Sequence, residues 1–163
     1  SSKRLKIGSA ASSTSVTKTI RVPYGSLVPF SEANFWAYRS GYVETNTLTG
    51  TQEFVGAVLV PVGATIVTVR AHQYRLTSTG ALLADTVFSR LTDSGGQVAL
   101  ASLTHDSTGG WQTKASSAMT EAVTTGLTYH ITVDLRATTG NTADSRWSYL
   151  EVDYSVPDYL TAL

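Results

Sequence analysis

Tyr129-His130-Ile131-Thr132-Val133-Asp134-Leu135-Arg136-Ala137 alternates apolar and polar side chains without a break. Tyr129, Ile131, Val133, Leu135 and Ala137 share one face, and His130, Thr132, Asp134 and Arg136 share the other. Side chains repeat with a period of two along a strand and about 3.6 along a helix, so this segment predicts a half-buried antiparallel strand. The same alternation recurs in both directions from it. On the C-terminal side, 138–144 is a polar, Gly-containing turn, and Trp147 to Val156 reads as a second long strand. In that strand Leu150, Val152, Tyr154 and Val156 are expected to point inward, and Trp147, Tyr149, Glu151 and Asp153 outward.

On the N-terminal side, Gly126 marks a turn, Met119 to Val123 a short strand, and His105 to Trp111 a loop around Gly109-Gly110. Asp93-Ser94-Gly95-Gly96 carries the chemistry of a tight hairpin between strands Leu82–Thr92 and Gln97–Leu103. Ala64 to Leu76 is a long strand whose apolar phase shifts at Ile66-Val67, which predicts a β-bulge. Gln52 to Val60 is apolar on both faces, which predicts cover on both. Thr19 to Tyr24 alternates again and ends near Pro23, a residue confined to edge strands and strand ends. Phe35, Trp36 and Tyr38 form an aromatic cluster suited to plugging a core or interface. About eight to ten strands joined by short turns, with no helix, predict an all-β chain. The expected architecture is an antiparallel two-sheet sandwich of the jelly-roll type. An extended N-terminal arm (1–18) precedes the sandwich (19–157), and a short tail (158–163) follows it.

A chain of 163 residues is enough for one domain with a core. Charged residues make up 15%, against about 25% in ordinary globular proteins. Twelve acids balance twelve bases, so no long-range field steers nucleic acid toward the protein. The arm carries Lys3, Arg4, Lys6 and Lys18, too few positive charges for strong phosphate binding. There is no cysteine, which excludes disulfides and thiolate metal sites. No apolar run reaches the roughly 20 residues of a membrane helix, so membrane insertion is not expected. The sequence opens on Ser1 rather than Met, which leaves a removed leader open.

No catalytic constellation is legible. His72, His105 and His130 lack metal-ligand spacing. His105-Asp106-Ser107 places three triad residue types side by side in one loop, where they cannot converge as a triad must. Glu151 and Asp153 share a strand face as any exposed strand does, without the setting of a glycosidase pair. Asp93, Asp106, Asn141 and Asp144 lie in turns that could offer calcium oxygen ligands, but Asx residues favour turns for their own hydrogen bonds. The chain is therefore expected to be non-enzymatic and to need no cofactor.

Leu59-Val60-Pro61-Val62-Gly63-Ala64-Thr65-Ile66, with Tyr129-His130-Ile131-Thr132-Val133 and Leu150-Glu151-Val152-Asp153-Tyr154, resembles a pattern in β-sandwich proteins of phage virions and bacterial cell-exterior assemblies. The resemblance runs from about Phe54 to Tyr154. It implies a structural or adhesive module that works in multiple copies, in a virion or outside the cell, and it carries over no catalytic residues.

Two functions follow as expectations. The first is a structural subunit of a self-assembling virion or extracellular structure, a homotrimer or larger. Its partners would be further copies and other virion or surface proteins. Lys3, Arg4, Leu5 and Ile7 of the arm and Tyr159 and Leu160 of the tail would make the subunit contacts, by strand addition and apolar burial. The second is a carbohydrate- or receptor-binding module in which Trp111, Trp36, Trp147 and Tyr149 stack on sugar rings. Trp111, beside Gly109-Gly110, is the foremost of these.

Overall fold

Two antiparallel sheets face each other in the computed structural model, which describes residues 15–30, 36–45, 50–75, 85–106, 108–137 and 145–157. The first sheet is built on β12 (Ser145–Pro157). One edge of β12 pairs with β6 (Thr65–Arg75), and the other with β1 (Ser15–Pro23) and then β4 (Tyr42–Thr45). β3 (Trp36–Arg39) lies beyond β4. The far edge of β6 takes β9 (Gly110–Ala115) and β10 (Glu121–Ala122). The second sheet runs β2 (Val28–Pro29), β5 (Gly50–Val58), β11 (Thr128–Ala137), β7 (Asp85–Leu91), β8 (Gln97–Thr104). One short 3₁₀ turn, Tyr24–Ser26, links β1 to β2.

Early strands pair with late ones in both sheets: β1–β12–β6–β9 in one, β5–β11–β7–β8 in the other. That closed interleaving is the double Greek key of a jelly roll. The segment quoted first is indeed central. β11 pairs with β5 along Tyr129–Ala137 and with β7 along Thr128–Asp134. Its Tyr129, Ile131, Val133 and Leu135 are buried. They meet Phe54, Ile66, Val69, Phe88, Leu150 and Val152 in one continuous core. Each such side chain contributes about 1.5–3 kcal/mol on burial.

The core also holds a polar relay. Trp147 Nε1 donates to Thr86 Oγ1 at 3.1 Å, Thr86 Oγ1 donates to Gln73 Oε1 at 3.1 Å, and Gln73 Nε2 donates to the Leu103 carbonyl at 3.0 Å. It ties β12, β7, β6 and β8 together where an unpaired polar group would be costly.

The hairpin at 92–96 forms as its residues require. Gly95 takes φ +77°, its N–H donates to the Thr92 carbonyl at 2.8 Å, and the Thr92 N–H donates to the Gly96 carbonyl at 2.9 Å. The bulge expected at Ile66-Val67 is present. Asp153 pairs with Thr68 and Tyr154 with Ile66, which leaves Val67 without a partner.

Several expectations are corrected. Trp147 does not point outward; it is fully buried. A second bulge explains the error: Trp147 pairs with Gln73 and Tyr149 with His72, so Ser148 is extra and the alternation changes face there. Trp111 is not in a loop but is the second residue of β9, opposite Tyr74. β1 begins at Ser15, so the last four residues assigned to the arm belong to the sandwich. β5 ends at Val58, and Leu59 beyond it is 83% exposed. On the outer side of that run Val55 is half-buried beside β2, and Ala57 and Leu59 are exposed; the arm expected to cover them lies outside the described residues. Lys3, Arg4, Leu5, Ile7, Tyr159, Leu160, Phe35, Ser107, Asn141 and Asp144 lie outside the described residues.

Candidate functional site

The outer face of the first sheet gathers the chemistry. Strand pairing puts Tyr149 of β12 beside His72 of β6, and His72 beside Thr113 of β9. The rings answer to that register. His72 stacks on Trp111 at 4.9 Å between centroids and 7° between planes, and on Tyr149 at 5.0 Å and 17°. Arg21 of β1 sits over the Tyr149 ring at 4.3 Å. Four strands thus contribute one row: Trp111, His72, Tyr149, Arg21. The stack covers both faces of His72, whose Nδ1 shares a 3.0 Å hydrogen bond with Thr113 Oγ1. Burial, and after it the charge of Arg21, pushes the His72 imidazole below its ordinary pKa.

A second cluster adjoins the row. Tyr74 and Tyr42 touch Trp111 at 5.4 and 5.8 Å, both tilted steeply. The Arg146 guanidinium lies over the same two rings, 4.7 Å from Tyr74 and 4.9 Å from Tyr42. Trp111 remains 40% exposed although three rings fix its orientation.

Ion pairs brace the row from one side. Arg21 Nη2 donates to Glu151 Oε1 at 2.6 Å, and Arg70 bridges Glu151 Oε2 at 3.2 Å to Asp153. Thr19 Oγ1 donates to Asp153 Oδ1 at 2.6 Å. The hydrogen bond from Arg21 holds the Glu151 carboxyl below its usual range, and that from Arg70 does the same for Asp153. Among the described residues, the Glu44, Glu151 and Asp153 carboxylates on this face are each engaged by arginine.

Of the four aromatic residues expected at a site, the structure brings Trp111 and Tyr149 together through His72. Trp36 is half-buried against Phe54 and Tyr38, at 6.1 and 4.8 Å. Trp147 belongs to the core relay. His72, Tyr74, Tyr42, Arg21 and Arg146 join the site from ordinary-looking strand positions. The alternation of β6 places His72 and Tyr74 on one outward face, which is the one local signal they carried.

The turn acids serve the scaffold. Asp106 accepts from Thr108 N at 2.8 Å, Gln112 Nε2 at 2.5 Å and Lys114 Nζ at 2.7 Å, which holds its carboxyl far below the usual range. This clamp fixes the approach to β9, and so the position of Trp111. Asp93 lies against Gly126, where a Cβ would fall 2.4 Å from its Oδ2. Gly126, at φ +85°, supplies both the space and the backbone conformation.

The outer face of the second sheet differs. A groove of about 460 Å³ lies there between Val28, Val55, Ala57, Leu91, Tyr129 and His130. Its walls are mainly apolar, which suits packing better than the reading of hydroxyl groups.

No protein-family model matches the sequence, and no curated protein matches it significantly. Several solved structures are similar in fold. An arabinose-bound α-L-arabinofuranosidase gives a TM-score of 0.47 at 12% identity over 82% of this chain, which spans 24% of that enzyme. A family 35 carbohydrate-binding module from Clostridium thermocellum gives 0.40 at 12% identity over 85% of this chain and 97% of that one. A xylan-binding domain of carbohydrate-binding module family 22 gives 0.39 at 11% over 84% and 86%. These values are too low to bear on what this chain binds. The β-sandwich itself stands on the chain's own two sheets.

Proposed function

We propose that this chain is a non-catalytic carbohydrate-binding module, working outside the cell, whose binding face is the outer surface of the first sheet. One observation carries the proposal: Trp111 is exposed, yet held in a single orientation by His72, Tyr74 and Tyr42. A fixed indole offers apolar area to the C–H face of a sugar ring at little entropic cost. Thr113, Arg21 and Glu151 stand along the same face, where hydroxyl groups of neighbouring sugar units need donors and acceptors. Binding without chemistry suits a face whose Glu44, Glu151 and Asp153 carboxylates are tied to arginine.

Calorimetric titration with oligosaccharides, chosen by screening immobilised glycans, tests this. Trp111→Ala should weaken binding at least about tenfold, equivalent to about 1.4 kcal/mol, in a sandwich that still unfolds cooperatively. Binding that survives Trp111→Ala intact, or no glycan binding at all, overturns the proposal.

A second reading, the self-assembling structural subunit, is favoured by a different surface. Val28 of β2, Phe30 just after it, and Leu59 and Val62 beyond the end of β5 are all more than half exposed. An apolar strip of this kind suits a contact with another copy of the chain. Light scattering behind a sizing column separates the two readings. Assembly through the strip requires a particle heavier than one chain that dissociates in Leu59→Asp, whereas a monomer in both cases removes it.

A further inference from the structure

We infer that the ligand of this face is an acidic glycan, and that Arg146 reads its anionic group. The inference rests on the glycan-binding proposal and names the substrate class for the same site. Most other arginines among the described residues spend N–H groups on carboxylates, Arg21 and Arg70 on Glu151, Arg39 on Glu44, Arg90 on Glu121 and Arg136 on Asp85, while Arg75 donates to the Asp106 carbonyl. Arg146 does neither. Among the described residues it makes no hydrogen bond. Its Nε lies 3.2 Å from Glu44 Oε2, but the N–H is not aimed at that oxygen and is buried without a partner.

What holds Arg146 is the pair of tyrosine rings on either contact, Tyr42 and Tyr74. Ring contacts fix the plane of a guanidinium, and the two Nη groups, which make no hydrogen bond among the described residues and are not buried, form the edge that can grip a carboxylate or sulfate through two parallel hydrogen bonds. The local charge favours an anion as well. Glu44 is shared by two guanidiniums, since its Oε1 already accepts from Arg39 Nε at 2.7 Å. One negative charge therefore faces two positive ones. The same two tyrosines touch Trp111, so a single ring separates the exposed indole from the cation. A sugar stacked on Trp111 would carry its acidic substituent toward Arg146.

The experiment titrates the full chain with three matched oligosaccharide sets: a uronic-acid oligomer, its neutral methyl ester, and a sulfate ester of the neutral backbone. The acidic ligands should bind at least about tenfold tighter than the neutral one, and the advantage should shrink with added salt. Arg146→Met should erase the preference, bringing acidic and neutral ligands to equal affinity. Arg146→Lys should keep part of it, because charge remains and the fork is lost. Comparing the carboxylate and sulfate arms identifies which anion is read. Equal binding of acidic and neutral ligands, or a preference that persists in Arg146→Met, overturns the inference and leaves the glycan-binding proposal standing. Loss of all binding in Trp111→Ala supports that proposal independently, and failure of every ligand to bind the wild-type chain removes both. Thermal melting of each variant checks that the sandwich is intact.

Discussion

His72 shows how little a residue's own surroundings in the sequence say about its role. It sits mid-strand between Ala71 and Gln73, with no neighbouring acid and no metal spacing. The fold places it between Trp111 and Tyr149 and shields it from water. A depressed folded pKa gives a definite sign. The imidazole is favoured neutral in the native state, so stability rises with pH from the folded value up to the unfolded value near 6.5 and is lost as pH falls through that window. An NMR titration of the three histidines should find His72 with a midpoint below 6.5; a midpoint above it would contradict the buried stack. Glu151 and Asp153 act lower on the scale. Their folded values are depressed below 4.5 and 3.8, so the stability they supply is full above those pH values and fades as pH falls beneath them. In Glu151→Gln, acid unfolding should be less steep below about pH 4.5 than in the wild type. An unchanged acid limb would show that the Arg21–Glu151–Arg70 network is screened out by solvent.

At the scale of strands and turns, two substitutions test what joins the sheets. Thr86→Val removes the hydroxyl in the centre of the relay and orphans both Trp147 Nε1 and Gln73 Oε1. It should cost about 1–3 kcal/mol by denaturant unfolding, and a neutral result would mean the relay is dispensable. Gly56 of β5 faces Leu27, whose Cδ2 would lie 2.9 Å from a new Cβ. Leu27 is buried in the core, so making room for the new Cβ means repacking its neighbours. Gly56→Ala should therefore destabilise by about 1–3 kcal/mol through overpacking.

The same scale shows what was legible beforehand. Long alternating runs revealed β11, β6 and the inward half of β12, because period two is a property of each strand alone. The bulge at Val67 was legible since apolar residues on either side of it change phase. The bulge at Ser148 carries the same kind of mark, with Trp147 and Leu150 three apart and both apolar, but the unbroken alternation from Leu150 to Val156 hides it. That one extra residue sent Trp147 to the wrong face. The aromatic row was not legible at all, since it depends on cross-strand register among β1, β12, β6 and β9. No local pattern encodes that pairing.

Seen whole, the sandwich presents two unlike outer faces. One is polar, aromatic and braced by arginine–carboxylate pairs; the other carries an apolar groove and an exposed strip at β2 and beyond the end of β5. Burial of one tryptophan, half-burial of a second and exposure of the third divides labour within a single residue type. Trp147 holds the core, Trp36 seals its edge against Phe54, and Trp111 faces solvent. The exposed strip and the self-assembly expected from the arm are separable tests. Removing residues 1–14 leaves β1 complete, so a change in particle mass on that deletion would come from the arm and not from a damaged sheet.

The three indoles also provide the most direct measurement of glycan binding at this face. Each gives its own N–H resonance, so a glycan can be titrated while all three are followed by NMR. Glycan binding on the first sheet predicts that the Trp111 indole shifts and saturates with ligand, while the Trp147 N–H, locked to Thr86, stays in place. A titration that leaves Trp111 unmoved, or that shifts Trp147 or Trp36 in its stead, would contradict it.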